Sequence, residues 1–121
     1  MTIEYIINIS DDVLYVKTRG IDRDLREVQK YGAELIGICK EHRIRKVLTD
    51  ERELEYTIGI IDTYQLAQYY SNEIPKLVRV AVVTSSESLD DAQFWETASV
   101  NKGLNVRVFT VYEEAKQWIE E

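Results

Sequence analysis

Two alternating periodicities constrain this chain most. Apolar residues recur at every second position in short stretches and at helical spacing between them, and from residue 47 the order strand then helix repeats. The clearest instance is Val47-Leu48-Thr49-Asp50, an apolar strand closing on a carboxylate, followed by the charged run Glu51-Arg52-Glu53-Leu54-Glu55 and a helix over 60–71. Such alternation builds open α/β sheets, whose ligand and regulatory contacts gather outside the carboxyl ends of the strands. The pattern marks a place for a site before it indicates a chemistry.

Upstream, Ile3, Tyr5, Ile7 and Ile9 alternate with Glu4 and Asn8, with Ile6 as the exception, and residues 13–18 read the same way. Ser10-Asp11-Asp12 between them is a short turn, so the two strands form an antiparallel hairpin. Residues 23–42 are an amphipathic helix carrying Leu25, Val28, Gly32, Leu35, Ile36 and Cys39 on one face, with Asp22 as N-cap. Gly32 in its middle costs about 1 kcal/mol relative to alanine, which makes sense if the helix approaches the sheet closely there. After the helix that ends before Pro75, residues 78–83 form a strand. Ser88 with Asp91, and Thr110 with Glu113, have capping-box spacing at the starts of two further helices. The first carries Phe94, Trp95 and Ala98 and closes at Gly103. The second follows a strand over 106–109 and turns Val111, Ala115 and Trp118 inward.

The resulting order is ββαβαβαβα in one domain spanning 1–121: an α/β fold with a mostly parallel five-stranded sheet whose first strand is antiparallel. Lys17, Arg79 and Arg107 interrupt three strands, so one sheet face is expected to be less deeply covered, with the helices mainly on the other.

Composition narrows the functional classes. A hydrophobic content of 45% fits a globular chain, and a formal charge of −7 repels phosphate backbones, so nucleic acid is not an expected partner. No apolar run is long enough to span a bilayer and the N-terminal segment lacks a secretory pattern; a cytoplasmic location is expected. The single cysteine, Cys39, falls on an apolar helix face and reads as an inert thiol. Lys40, Arg43, Arg45 and Lys46 cluster at a helix C-terminus, where cations complement the dipole. His42 has no second ligand placed beside it, so packing or capping is its expected role.

No glycine-rich phosphate loop follows any strand, and no nucleophile, base and oxyanion set can be assembled, so neither a cofactor nor an enzymatic activity is expected. The acidic run Asp50, Glu51, Glu53 and Glu55 lacks calcium-loop spacing and reads as a solvated loop paired with Arg52 rather than a metal site. Placing Ile60, Tyr64, Ala67 and Tyr70 inward on the second helix leaves Ile61 and Tyr69 off the core, a surface suited to a protein partner. A homodimer through the N-terminal edge strand or this helix is open.

The ββαβαβαβα order, with Asp62-Thr63-Tyr64-Gln65-Leu66-Ala67, Val80-Ala81-Val82-Val83, Asn101-Lys102-Gly103 and Glu114-Ala115-Lys116-Gln117-Trp118-Ile119, resembles the small bacterial STAS-like proteins, relatives of the anti-sigma factor antagonists. The resemblance implies helices mainly on one side of the sheet and a fold related to CRAL-TRIO lipid-binding domains. In the antagonists, a serine in an Asp-Ser-Ser-Gly setting at the start of the second helix is phosphorylated. Here that place holds a longer loop over 51–59, whose nearest approach is Thr57-Ile58-Gly59, making Thr57 the candidate phosphosite. The expected function is a non-enzymatic regulatory module acting by protein contact through residues 50–70, with Asp50, Arg52, Thr57, Ile61 and Tyr69 as contact residues. The alternative is a small-molecule or lipid-binding domain with an apolar cleft between sheet and helices lined by Tyr64, Phe94 and Trp95.

Overall fold

A computed structural model describes residues 3–74 and 78–121. The strands are β1 (Ile3–Ser10), β2 (Val13–Asp22), β3 (Lys46–Tyr56), β4 (Arg79–Val83) and β5 (Asn105–Phe109). The helices are α1 (Leu25–His42), α2 (Ile60–Glu73), α3 (Leu89–Asn101) and α4 (Tyr112–Glu120). The sheet order is β1-β2-β3-β4-β5, antiparallel between β1 and β2 and parallel elsewhere, as the sequence pattern predicts. Asp11 and Asp12 both take positive φ (51° and 65°), the left-handed pair that a two-residue hairpin turn requires, so Ser10 meets Val13 directly.

Two apolar clusters flank the sheet. On one face Leu14, Val16, Val47 and Val82 pack under α1, α2 and α3; on the other Val13, Leu48, Ala81 and Val83 meet Ala115 and Ile119 of α4. Three helices thus share one face and a single short helix covers part of the other. The strand cations belong to the thinly covered face: Arg79 lies 4.3 Å over the Trp118 ring and donates to the Trp118 carbonyl, and Lys17 pairs with Glu53 at 3.2 Å.

Helix boundaries depart from the sequence reading in three places. Helix α1 is capped by Asp24, whose Oδ1 accepts from the Arg26 N–H at 2.9 Å, because Asp22 is still in β2, paired with Tyr56. Asp24→Ala is expected to lower stability by about 1 kcal/mol in urea melts. Neither capping box forms. Ser88 makes no cap bond, Ser85 instead accepting from the Ser88 N–H, and the N-cap of α4 is Val111, which is 46% exposed rather than inward. Gly103, at φ 90°, does terminate α3. Pro75, expected to end the second helix, lies outside the described residues; Glu73 is the last residue of α2.

The phase of α2 differs as well. Thr63, Leu66, Ala67 and Tyr70 face inward, while Ile60, Ile61 and Tyr64 are 66%, 73% and 52% exposed. Tyr69, expected on the surface, is half-buried against Tyr70, with ring centroids 5.4 Å apart. Gly32 does mark a close approach, but to α2 rather than to the sheet: a Cβ there would lie 2.0 Å from Tyr70 Oη.

The largest departure is β3. The charged run expected to be a loop continues the strand to Tyr56, leaving only residues 57–59 before α2. Lys17 faces Asp50 but Arg19 faces Glu53, so two steps along β2 oppose three along β3. Alternation keeps Glu51 on the side of Thr49 and Val47, and this bulge returns Leu54 to that same side beyond it.

Candidate ligand site between sheet and helices

Because Glu51 shares the inward parity of Val47 and Thr49, its carboxyl enters the space under α1, α2 and α3 instead of solvent. Tyr56 donates to Glu51 Oε1 at 2.5 Å, and Tyr31 donates to Oε2 at 3.4 Å. The Tyr31 and buried Thr18 hydroxyls share a hydrogen bond of 2.7 Å. Burial, with the charge of Asp22 adding to it, pushes the Glu51 carboxyl up to about 7. Burial first, and Glu51 second, raise Tyr31, Tyr56 and Tyr70 well above the usual phenol range, so all three remain protonated donors.

Around this carboxyl are two neighbouring chambers of about 200 and 410 Å³, both bordered by Tyr31, Glu51, Tyr70 and Trp95. The first reaches Asp22, Tyr56, Asp91 and Phe94; the second runs under α1 past Leu35, Ile36 and Cys39 toward Lys40 and Arg43. Asp22 closes the first chamber, accepting from the Thr57 N–H, while burial raises its carboxyl to about 6. Burial also raises the Cys39 thiol to about 11, so it is a wall, not a nucleophile. Their combined size suits a small organic molecule.

The sequence-derived cleft residues divide. Phe94 and Trp95 line the cavity; Tyr64 does not, standing outside with its ring 5.4 Å edge-on to Phe94. The contact residues also divide. Asp50 and Arg52 project from the α4 face, where the Arg52 guanidinium makes bonds of 2.8 and 2.7 Å to the Asp50 carboxylate and lies 5.6 Å over Tyr112. Burial pushes the Asp50 carboxyl up, but Arg52 overcomes this and holds it below the usual range. Ile61 is exposed on α2, at the opposite face of the sheet, and Tyr69 on the same helix is half-buried against the core. Thr57 is exposed, its Oγ1 donating to the Asp22 carbonyl at 2.7 Å. No group of three or more metal-ligating side chains converges among the described residues.

Sequence reasoning missed the roles of Glu51, Asp22, Tyr31, Tyr56 and Asp91 in this cavity. Parity was the available signal: extending the strand past Asp50 puts Glu51 inward.

No family model and no curated protein matches the chain. Among solved structures, an anti-sigma factor antagonist from Mycobacterium paratuberculosis superposes with a TM-score of 0.66 at 15% identity, over 98% of this chain and 95% of that one. A protein with a SpoIIAA-like fold from Shewanella loihica PV-4, of the DUF3478 family, gives 0.56 at 19% identity, over 97% and 93%. The fold is STAS-like. In STAS-like terms, α2 is the helix on which the sequence reading placed a partner, and its inner side is a wall of the cavity through Thr63, Leu66 and Tyr70. Among the described residues, no helix of this STAS-like domain is long and apolar enough to cross a membrane.

Proposed function

We propose that this STAS-like chain is a non-enzymatic, cytoplasmic regulatory module that works by protein contact through the start of α2. The observation that carries this reading is the exposed apolar strip of Ile60, Ile61 and Tyr64 on the helix that follows the β3 carboxyl end. Isolated surface apolar residues need no explanation, but three on adjoining positions of one helix supply a contact core. An anti-sigma factor antagonist, the kind of protein this fold resembles, acts on another protein, which supports the same mode here. Asp50 and Arg52, on the other face, would form a separate contact with Tyr112, and Thr57 remains the candidate phosphosite between them.

A photo-crosslinking residue at position 61 is expected to capture one defined protein in cells of the native host, whereas the same residue at exposed position 117 on α4 captures none. Failure of position 61 to form any protein adduct overturns the reading.

The cavity favours a second reading, binding of a small, largely apolar molecule between sheet and helices. The two readings are compatible, since α2 carries the apolar strip on its outside and lines the cavity on its inside.

A further inference from the structure

Charge is distributed unevenly around the cavity. The first chamber is lined by three carboxyl groups, on Asp22, Glu51 and Asp91, and no lysine, arginine or histidine is in its lining. Asp91 stands at an exposed position on the rim, whereas Asp22 is buried and Glu51 half-buried, and enclosed carboxylates without a counter-charge are unfavourable. Burial chiefly, with Asp91 adding, raises the Asp22 carboxyl, and burial chiefly, with Asp22 adding, raises that of Glu51. The missing partner is a cation. Its kind follows from the walls, because Tyr31, Tyr56 and Trp95 set aromatic surface beside the acids, and aromatic faces together with carboxylate are the surroundings that stabilise an organic ammonium. A hard metal ion would want converging oxygens, and the described residues form no such group.

A second observation concerns the neutral polar groups of the cavity wall. Thr49 is 5% exposed and lines the second chamber, yet its Oγ1 completes no hydrogen bond; nor does Trp95 Nε1, on the ring that borders both chambers. Buried polar atoms are rarely left unpaired, and both of these belong to the wall of the second chamber. Beyond them the second chamber is walled chiefly by aliphatic side chains.

We propose that the first chamber binds the ammonium head of an organic cation between Glu51, Asp22 and the Tyr31, Tyr56 and Trp95 rings, while its apolar chain occupies the second. This rests on the cavity being a ligand site. The titratable groups that face Glu51 are Asp22 of β2, Tyr31 of α1, Tyr56 of β3, Tyr70 of α2 and Asp91 of α3. The tyrosines stay neutral over the working range, so the two raised carboxyls govern the pH response. Binding is strongest where both are ionised.

Calorimetric titration with octyltrimethylammonium, below its micelle concentration, tests this against octanol and octanoate of matched chain length. At pH 8 the cation is expected to bind about tenfold or more tighter than octanol, and the difference is expected to vanish by about pH 5. Glu51→Gln is expected to remove about tenfold of the cation's affinity and leave octanol unchanged. Asp91→Asn, at an exposed helix position, lowers cation affinity by a smaller factor without disturbing the core. Octanol binding as tightly as the cation overturns the proposal and leaves the cavity a ligand site. Octanoate binding tightest overturns it in favour of an anionic head near Lys40 and Arg43. Absence of binding by all three overturns the proposal and the ligand reading together.

Discussion

At pH 8 the Glu51→Gln variant is expected to be more stable than the wild type by about 3 kcal/mol, and the two are expected to converge toward pH 4. The folded protein raises the Glu51 carboxyl from 4.5 to about 7, chiefly by enclosing it. A group whose folded value lies above its unfolded one adds stability that is fully present below the unfolded value. That contribution is lost as pH rises through about 7, where the native state must carry a buried charge. Each unit of difference corresponds to about 1.4 kcal/mol, which sets the magnitude. Glutamine keeps an oxygen to accept the Tyr56 hydroxyl and never ionises. Urea melts of both proteins at pH 4 and pH 8 measure the effect directly, and equal stability at pH 8 would show that Glu51 is solvated in the folded state.

Gly32→Ala is expected to destabilise the protein by about 2 kcal/mol, although the same change in an unobstructed helix would stabilise it by about 1 kcal/mol. The new methyl would stand 2.0 Å from Tyr70 Oη and 2.5 Å from Tyr70 Cε1 and Cζ. Tyr70 has little room to withdraw, being buried, tilted against Tyr69 and edge-on to Trp95 at 6.5 Å, with its hydroxyl donating to the Val28 carbonyl at 3.3 Å. Either α1 and α2 separate or the ring moves into the cavity. Tyr70→Phe in the same chain removes the nearest atom and is expected to restore part of the loss, giving a coupling of about 1 kcal/mol in a double-mutant cycle. Strict additivity of the two changes would place the cause elsewhere.

Much of the fold was legible because periodicity is a backbone property that the sheet and helices enforce locally. The β1–β2 hairpin, the ββαβαβαβα order and the uneven covering of the sheet all followed from where apolar residues recur and where Lys17, Arg79 and Arg107 interrupt them. The site was less legible for two physical reasons. Residues 51–55 have the composition of a solvated loop, and only pairing with β2 makes them a strand; alternation then turns Glu51 inward, and a bulge beyond it brings Leu54 rather than Glu53 to the same side. In α2, Ile60, Ile61, Tyr64, Leu66, Tyr69 and Tyr70 are spread so widely around the helix that neighbouring phases bury similar amounts of apolar surface. The contact with Gly32 and the sheet below chose the phase that buries Tyr70 and leaves Tyr64 outside. The capping boxes failed because spacing alone does not fix where a helix begins: Asp24 caps α1, while Ser88 and Thr110 make no such bond.

Sequence-neighbour pairing throughout the sheet bears on how the protein is born. Each strand joins the one made just before it, and no later strand has to be threaded between two earlier ones. A chain leaving the ribosome can therefore lay down β1 to β5 in the order of synthesis, the β1–β2 hairpin closing first and each parallel pairing, such as Val13 with Lys46, closing more slowly over its intervening helix. The two faces mature at different moments. Helices α1, α2 and α3 arrive between strands and cover their side as it grows, whereas Val13, Leu48, Ala81 and Val83 wait for α4, the last element to emerge. For the interval between the synthesis of β4 and the docking of Ala115 and Ile119, a nascent chain displays an uncovered aliphatic surface, the natural point of attention for a ribosome-associated chaperone.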